Sequence, residues 1–147
     1  MELRRRVAFV ACVVFASMML SGRAAWAVDP CSLLTADQAA AALGVPDVNA
    51  GAGANRCIWT PKKYKQGAGQ LTVVFEGAND GAKMTGQGTA VSGVGDEAIQ
   101  TVIAKSDSSV LHVRKGSTWF VVSVHGVPVD QAAQVEKTVA QAIAGKL

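Results

Sequence analysis

Apolar and polar positions alternate most cleanly between Val110 and His125. The run Val-Leu-His-Val-Arg-Lys leads into Gly116-Ser117, and Thr-Trp-Phe-Val-Val-Ser-Val-His follows. A period of two marks strands, whose side chains point to opposite faces in turn. A Gly-X pair between two such runs is the sequence of a two-residue type II′ hairpin. With the turn at Gly116-Ser117, Lys115 faces Thr118, Arg114 faces Trp119 and Val113 faces Phe120. Leu111, Val113, Phe120, Val122 and Val124 then form an apolar core face. Val110, His112, Arg114, Trp119, Val121, Ser123 and His125 form the other, mixed face.

The remaining elements follow from the same reading. Asp29 to Leu34 is expected to be a short extended or turn segment. Thr35-Ala36-Asp37-Gln38 is a capping box, in which Thr35 and Gln38 satisfy each other's backbone donors. The helix it starts carries Ala36, Ala39, Ala40 and Leu43 and stops at Gly44 and Pro46. Asp47 to Asn55 is expected to be a glycine and alanine loop, and Arg56 to Thr60 a short strand ended by Pro61. Lys62 to Gly69 reads as a polar turn. Leu71, Val73 and Phe75 alternate with Thr72, Val74 and Glu76 as a clear strand, and Trp59 and Phe75 are expected in the core. Gly77 to Gly95 is too rich in glycine for more than one helical turn, over Asp80 to Met84. Glu97 to Ala104 reads as a strand. A final helix capped by Asp130 runs to about Ala144, with Ala132, Val135, Val139, Ala142 and Ile143 as its apolar stripe. Gln131, Gln134, Lys137, Thr138 and Gln141 are expected to face water. Helix, strands, then helix make an α+β fold with an antiparallel sheet of about five strands.

The first 27 residues stand apart. Arg4, Arg5 and Arg6 precede the apolar run Val7 to Leu20, and Ala25-Trp26-Ala27 fits the A-x-A cleavage rule, so residues 1–27 are expected to be a signal peptide removed after Ala27. Lipidation at Cys12, after Phe9-Val10-Ala11, is the alternative. Residues 28–147 then form a single α+β domain, secreted or periplasmic and without a stable membrane anchor. Of the fourteen basic and eleven acidic residues in the chain, the leader holds Arg4, Arg5, Arg6, Arg23 and Glu2, which leaves ten of each sign. A neutral domain lacks the basic footprint that nucleic acid requires; only Lys62, Lys63 and Lys65 cluster. Cys31 and Cys57 remain after cleavage and are read as a disulfide, free buried thiols being the alternative.

Candidate chemistry is sparse. Gly93-Val94-Gly95-Asp96-Glu97-Ala98 matches the loose dinucleotide pattern, but a strand-like segment follows where a helix is needed. It is read as a tight turn, with Asp96 hydrogen-bonded to local backbone. His112 and His125 share a face, yet lie too far apart along the hairpin for one metal ion. Ser123, His125 and Asp96 lack the strand-turn-helix elbow of a hydrolase. Asp96 and Glu97, being adjacent, point to opposite faces. No cofactor and no metal are expected. Arg114 opposite Trp119 is a possible cross-strand cation–π pair, serving either to grip a ligand or partner or to pack beneath the second helix.

Asp29-Pro30-Cys31-Ser32-Leu33-Leu34-Thr35 before a helix, Cys57-Ile58-Trp59, Gly93-Val94-Gly95-Asp96-Glu97-Ala98, and Val113-Arg114-Lys115-Gly116 with its following strand occur in an order that resembles a family of bacterial cell-envelope proteins. That family is a domain of unknown function with a PsbP-like sandwich, and many members are lipoproteins. The resemblance implies paired cysteines at Cys31 and Cys57, an antiparallel sheet between helices, and no established reaction. The expected function is therefore a secreted or periplasmic, non-enzymatic binding or accessory domain for an unknown small molecule or protein. Its candidate surface is Trp119, Arg114, His112 and His125. An inhibitor or stabiliser of a secreted partner, and a small envelope hydrolase using His112 or His125, are the alternatives.

Overall fold

The hairpin forms in the expected register. In a computed structural model that describes residues 28–63, 69–77, 80, 87–103, 106 and 108–147, Lys115 pairs with Thr118, Arg114 with Trp119 and Val113 with Phe120. Gly116 takes a φ of 59°, the positive value that the first position of such a turn demands. The leader, Cys12 within it, residues 64–68 with Lys65, residues 81–84 of the expected helical turn, and Ala104 lie outside the described residues.

Strands β1 (Val48–Ala52), β2 (Arg56–Pro61), β3 (Gln70–Glu76), β4 (Thr89–Ala90), β5 (Glu97–Ile103), β6 (Ser108–Lys115) and β7 (Thr118–His125) form one antiparallel sheet. Its order is β1-β2-β3-β7-β6-β5-β4. The sheet thus has seven strands where about five were expected. Strand β1 arises within the segment read as a loop. Its small residues have little strand preference, but a two-residue turn at Ala54-Asn55, closed by Gly53 N–H to Arg56 C=O at 2.8 Å, lays it along β2. Tertiary pairing overrides weak local preference here. Strand β4 is a two-residue edge against β5, inside the glycine-rich stretch.

Three helices of the described residues join the sheet. The segment read as extended or turn forms one helical turn, α1 (Pro30–Leu33), because the Asp29 carboxylate accepts the Cys31 N–H at 2.9 Å and Pro30 suits a first helical position. Helix α2 (Ala36–Leu43) starts with the capping box, Thr35 and Gln38 bonding each other's backbone N–H groups at 3.2 and 3.0 Å. Gly44, with φ 66°, ends it. Helix α3 (Val129–Ala144) begins at Pro128, and Asp130 does not cap it. Asp130 instead lies in the first turn, where a negative charge favours the helix dipole.

Leu33, Leu34, Ala39, Ala40 and Leu43 from the first helices, and Ala132, Val139, Ala140 and Ile143 from α3, join one core with the sheet face of Cys57, Trp59, Leu71, Val73, Phe75, Leu111, Val113, Phe120, Val122 and Val124. The helices therefore share this face. The Cys31–Cys57 disulfide, with Cα atoms 5.1 Å apart, ties α1 to β2 inside it. Lys146 donates to the Leu33 carbonyl at 2.6 Å and closes the end of α3 onto α1. The stripe of α3 differs from the expected one: Val135 and Ala142 are only partly buried, and Glu136 is fully buried among the apolar residues.

Candidate functional site

The sheet face turned away from α1, α2 and α3 carries polar side chains from four strands. Cross-strand pairing sets Glu76, Trp119, Arg114 and Glu97 in one row across β3, β7, β6 and β5. Val74, Val121, His112 and Ile99 form the next row, and Thr72, Ser123, Val110 and Thr101 the one after. His112 thus lies one row from Trp119 and diagonal to Thr101. Its Nδ1 is 3.5 Å from Glu76 Oε2. Yet among the described residues Glu76 Oε2, His112 Nδ1 and Thr101 Oγ1 are buried atoms without a hydrogen-bond partner. Buried polar groups are rarely left so, because each costs about 1–3 kcal/mol.

Of the four surface residues read from the sequence, two are closed in. Trp119 is 6% and His112 7% exposed, so neither is an open gripping side chain. Trp119 packs on the face away from α3, not beneath it. Arg114 turns to its other cross-strand neighbour: Nε donates to Glu97 Oε2 at 3.2 Å, and a nitrogen of the same guanidinium lies 3.9 Å from Asp96. A full charge is met better by a carboxylate than by a ring quadrupole, so the ion pair replaces the expected cation–π pair. His125 is exposed at the far end of β7, opposite Gln70. It is not assembled with the other three.

Asp96 departs from expectation too. Its carboxylate reaches the hairpin turn, accepting the Gly116 N–H at 2.7 Å and the Lys115 ammonium at 3.3 Å, while its own N–H meets the Arg114 carbonyl. The Gly116 bond, then Lys115, hold its carboxyl below the ordinary value. Gly93 and Gly95, with φ of 78° and 57°, shape the approach, and a strand follows them, as the sequence pattern indicated. Asp96 and His125 sit at opposite ends of β7, so Ser123, His125 and Asp96 are not brought together.

Glu136 went unnoticed in the sequence. Its carboxylate accepts from Gln100 at 2.6 Å, Ser109 at 2.9 Å and the Val124 N–H at 2.9 Å. Burial raises its pKa, and these three donors and the charge of His125 oppose the rise. The signal was present: 136 falls four after Ala132 and three before Val139, squarely in the stripe. Glu76 and Thr101 had no such signal, since alternation assigns a face without saying whether that face is covered.

Among the described residues no group of three or more His, Cys, Asp or Glu could hold a metal, and no helix is long and apolar enough to cross a membrane. Comparison with protein-family profiles, with curated proteins and with solved structures gives no match.

Proposed function

We propose that this chain is an exported binding or accessory domain that works by contact, and that the face around His112 receives a small polar ligand. The observation that carries the reading is that Glu76 Oε2, His112 Nδ1 and Thr101 Oγ1 are buried on one sheet face without a hydrogen-bond partner among the described residues, with Glu76 and His112 3.5 Å apart and Thr101 diagonal to His112. A carboxylate oxygen, an imidazole nitrogen and a hydroxyl suit a ligand that both donates and accepts hydrogen bonds. Trp119, beside Glu76 and one row from His112, supplies an aromatic wall. The other carboxylates at hand have structural partners: Glu136 holds α3 to the sheet, Asp96 holds the turn, and Glu97 holds Arg114. That distribution favours recognition over catalysis.

Export rests on the pattern of residues 1–27 and on the disulfide, a bond suited to an oxidising compartment. The antiparallel sheet, the flanking helices and the pairing of Cys31 with Cys57 agree with the resemblance to the cell-envelope family, and we extend the proposal to its PsbP-like sandwich. Thermal-shift screening of small polar metabolites tests the binding reading. Ligands that raise the melting temperature of the wild type and not of His112→Ala or Glu76→Ala support it. A high-resolution crystal structure in which Glu76 and His112 bond each other, Thr101 bonds backbone, and nothing else enters would overturn it. Amino-terminal sequencing of the exported protein checks cleavage; a terminus at Met1 or Cys12 refutes processing after Ala27.

A further inference from the structure

The two edges of the sheet are unlike. Strand β4 is blunted by its length, two residues. Strand β1 is five residues long, lies at the opposite edge and, among the described residues, pairs with β2 alone. Natural edges are guarded by charges, prolines, bulges or a covering element. From Asn49 to Ala54 every residue of this edge is exposed, and the run Asn-Ala-Gly-Ala-Gly-Ala has no charge and no proline.

The backbone direction follows from the ladder. Gly53 N–H bonds Arg56 C=O, and Lys62 N–H bonds Asp47 C=O. Antiparallel hydrogen-bonded pairs recur at every second residue. Asp47, Asn49, Gly51 and Gly53 therefore turn their backbone groups to β2. Val48, Ala50 and Ala52 turn theirs outward, where no strand meets them among the described residues. The hairpin that presents them is held at both ends. Asn55 bonds the backbone of Phe75 at 2.7 and 2.9 Å, and Lys62 pairs with Asp47 at 2.7 Å. Little ordering remains to oppose pairing at this edge.

We propose that β1 is the interface for a second copy of this chain, joined edge to edge about a two-fold axis at Ala50. The register is self-complementary. Ala50 faces the partner's Ala50, Val48 faces the partner's Ala52, and Ala52 faces the partner's Val48. These are the residues whose backbone groups point outward, so each meets its counterpart as a hydrogen-bonded pair. Asn49 falls beside the partner's Gly51, and Asp47, the nearest charge, beside the partner's Gly53. No like charges are opposed and no bulky side chain intervenes. An isologous contact of this kind closes as a dimer and does not propagate, because β4 is too short to serve as a second pairing edge. A single strand pair buries less than a standard interface, which places the dimer among weak ones.

Sedimentation of the purified protein between about 1 µM and 1 mM reads the association. The expected result is a concentration-dependent dimer. Ala50→Pro removes an outward N–H and leaves the β1–β2 ladder intact, so it is expected to weaken the dimer about tenfold or more with its melting temperature nearly kept. Asn49→Pro removes an inward N–H and is expected to lower the melting temperature instead. Ala50→Cys places two thiols across the axis with Cα atoms about 5.5 Å apart, within disulfide reach, and mild oxidation is expected to give a crosslinked dimer with Cys31–Cys57 intact. A monomer throughout that range, or a dimer that Ala50→Pro leaves unchanged, overturns the proposal.

Discussion

Glu136 shows how one side chain can work against burial and for the fold at once. Three donors converge on it, a set that suits a carboxylate, while the surrounding core disfavours its charge. A raised folded pKa means the folded state holds the proton more tightly than the unfolded chain. Stability is then greatest below the ordinary value of 4.5 and declines as pH rises from there through the folded value. Glu136→Gln should remove that decline, read as urea-unfolding free energy against pH. The Gln100 amide can turn to offer its oxygen, so the variant should fold. Glu136→Leu leaves the Val124 N–H and Ser109 without an acceptor and should cost about 2–4 kcal/mol. Asp96 acts in the opposite sense. Its pKa is lowered, so what it contributes is present above the ordinary value of 3.8 and is lost as pH falls through the folded value. Asp96→Asn should make the acid-unfolding limb shallower.

At the scale of elements, the β6–β7 hairpin and the Gly93–Gly95 turn lock each other. Two glycines there have positive φ but different surroundings. A Cβ on Gly116 meets open space, whereas one on Gly95 would lie 2.5 Å from the Arg114 carbonyl oxygen and 2.8 Å from Val113. Gly116→Ala should therefore cost only the strain of the left-handed conformation, about 1 kcal/mol. Gly95→Ala adds a backbone clash and should cost about 2 kcal/mol or more. Denaturant midpoints of the two variants check the order; equal losses would contradict it. This hairpin was legible because alternation and a Gly-X pair are local signals. Strand β1 was not, because Ala and Gly carry no period, and its strand geometry comes from the partner beside it.

For the whole molecule, the Cys31–Cys57 bond spans 26 residues and joins the first helical turn to a central part of the core. In the chain-entropy treatment, closing a loop of that length stabilises by about 3.5 kcal/mol. Reduction, or Cys31→Ala with Cys57→Ala, should lower the unfolding free energy by roughly that amount; an unchanged midpoint would show that the reduced chain holds α1 on β2 unaided. The core face was readable in advance, since Leu71, Val73, Phe75, Leu111, Val113, Phe120, Val122 and Val124 all lie where alternation put them. The opposite face was not. Whether Trp119 and His112 are open or closed depends on what passes over them, and no local pattern carries that.

Periodicity, capping residues and turn chemistry act over a few residues, so the sequence alone determined the hairpin register, both longer helices, the core strands and the cysteine pair. Sheet order, the two added strands, the descent of Glu136 into the core and the approach of Glu76 to His112 join residues far apart in the chain. Those were decided by tertiary structure, because pairing partners and burial are properties of the assembled sheet and not of any segment within it.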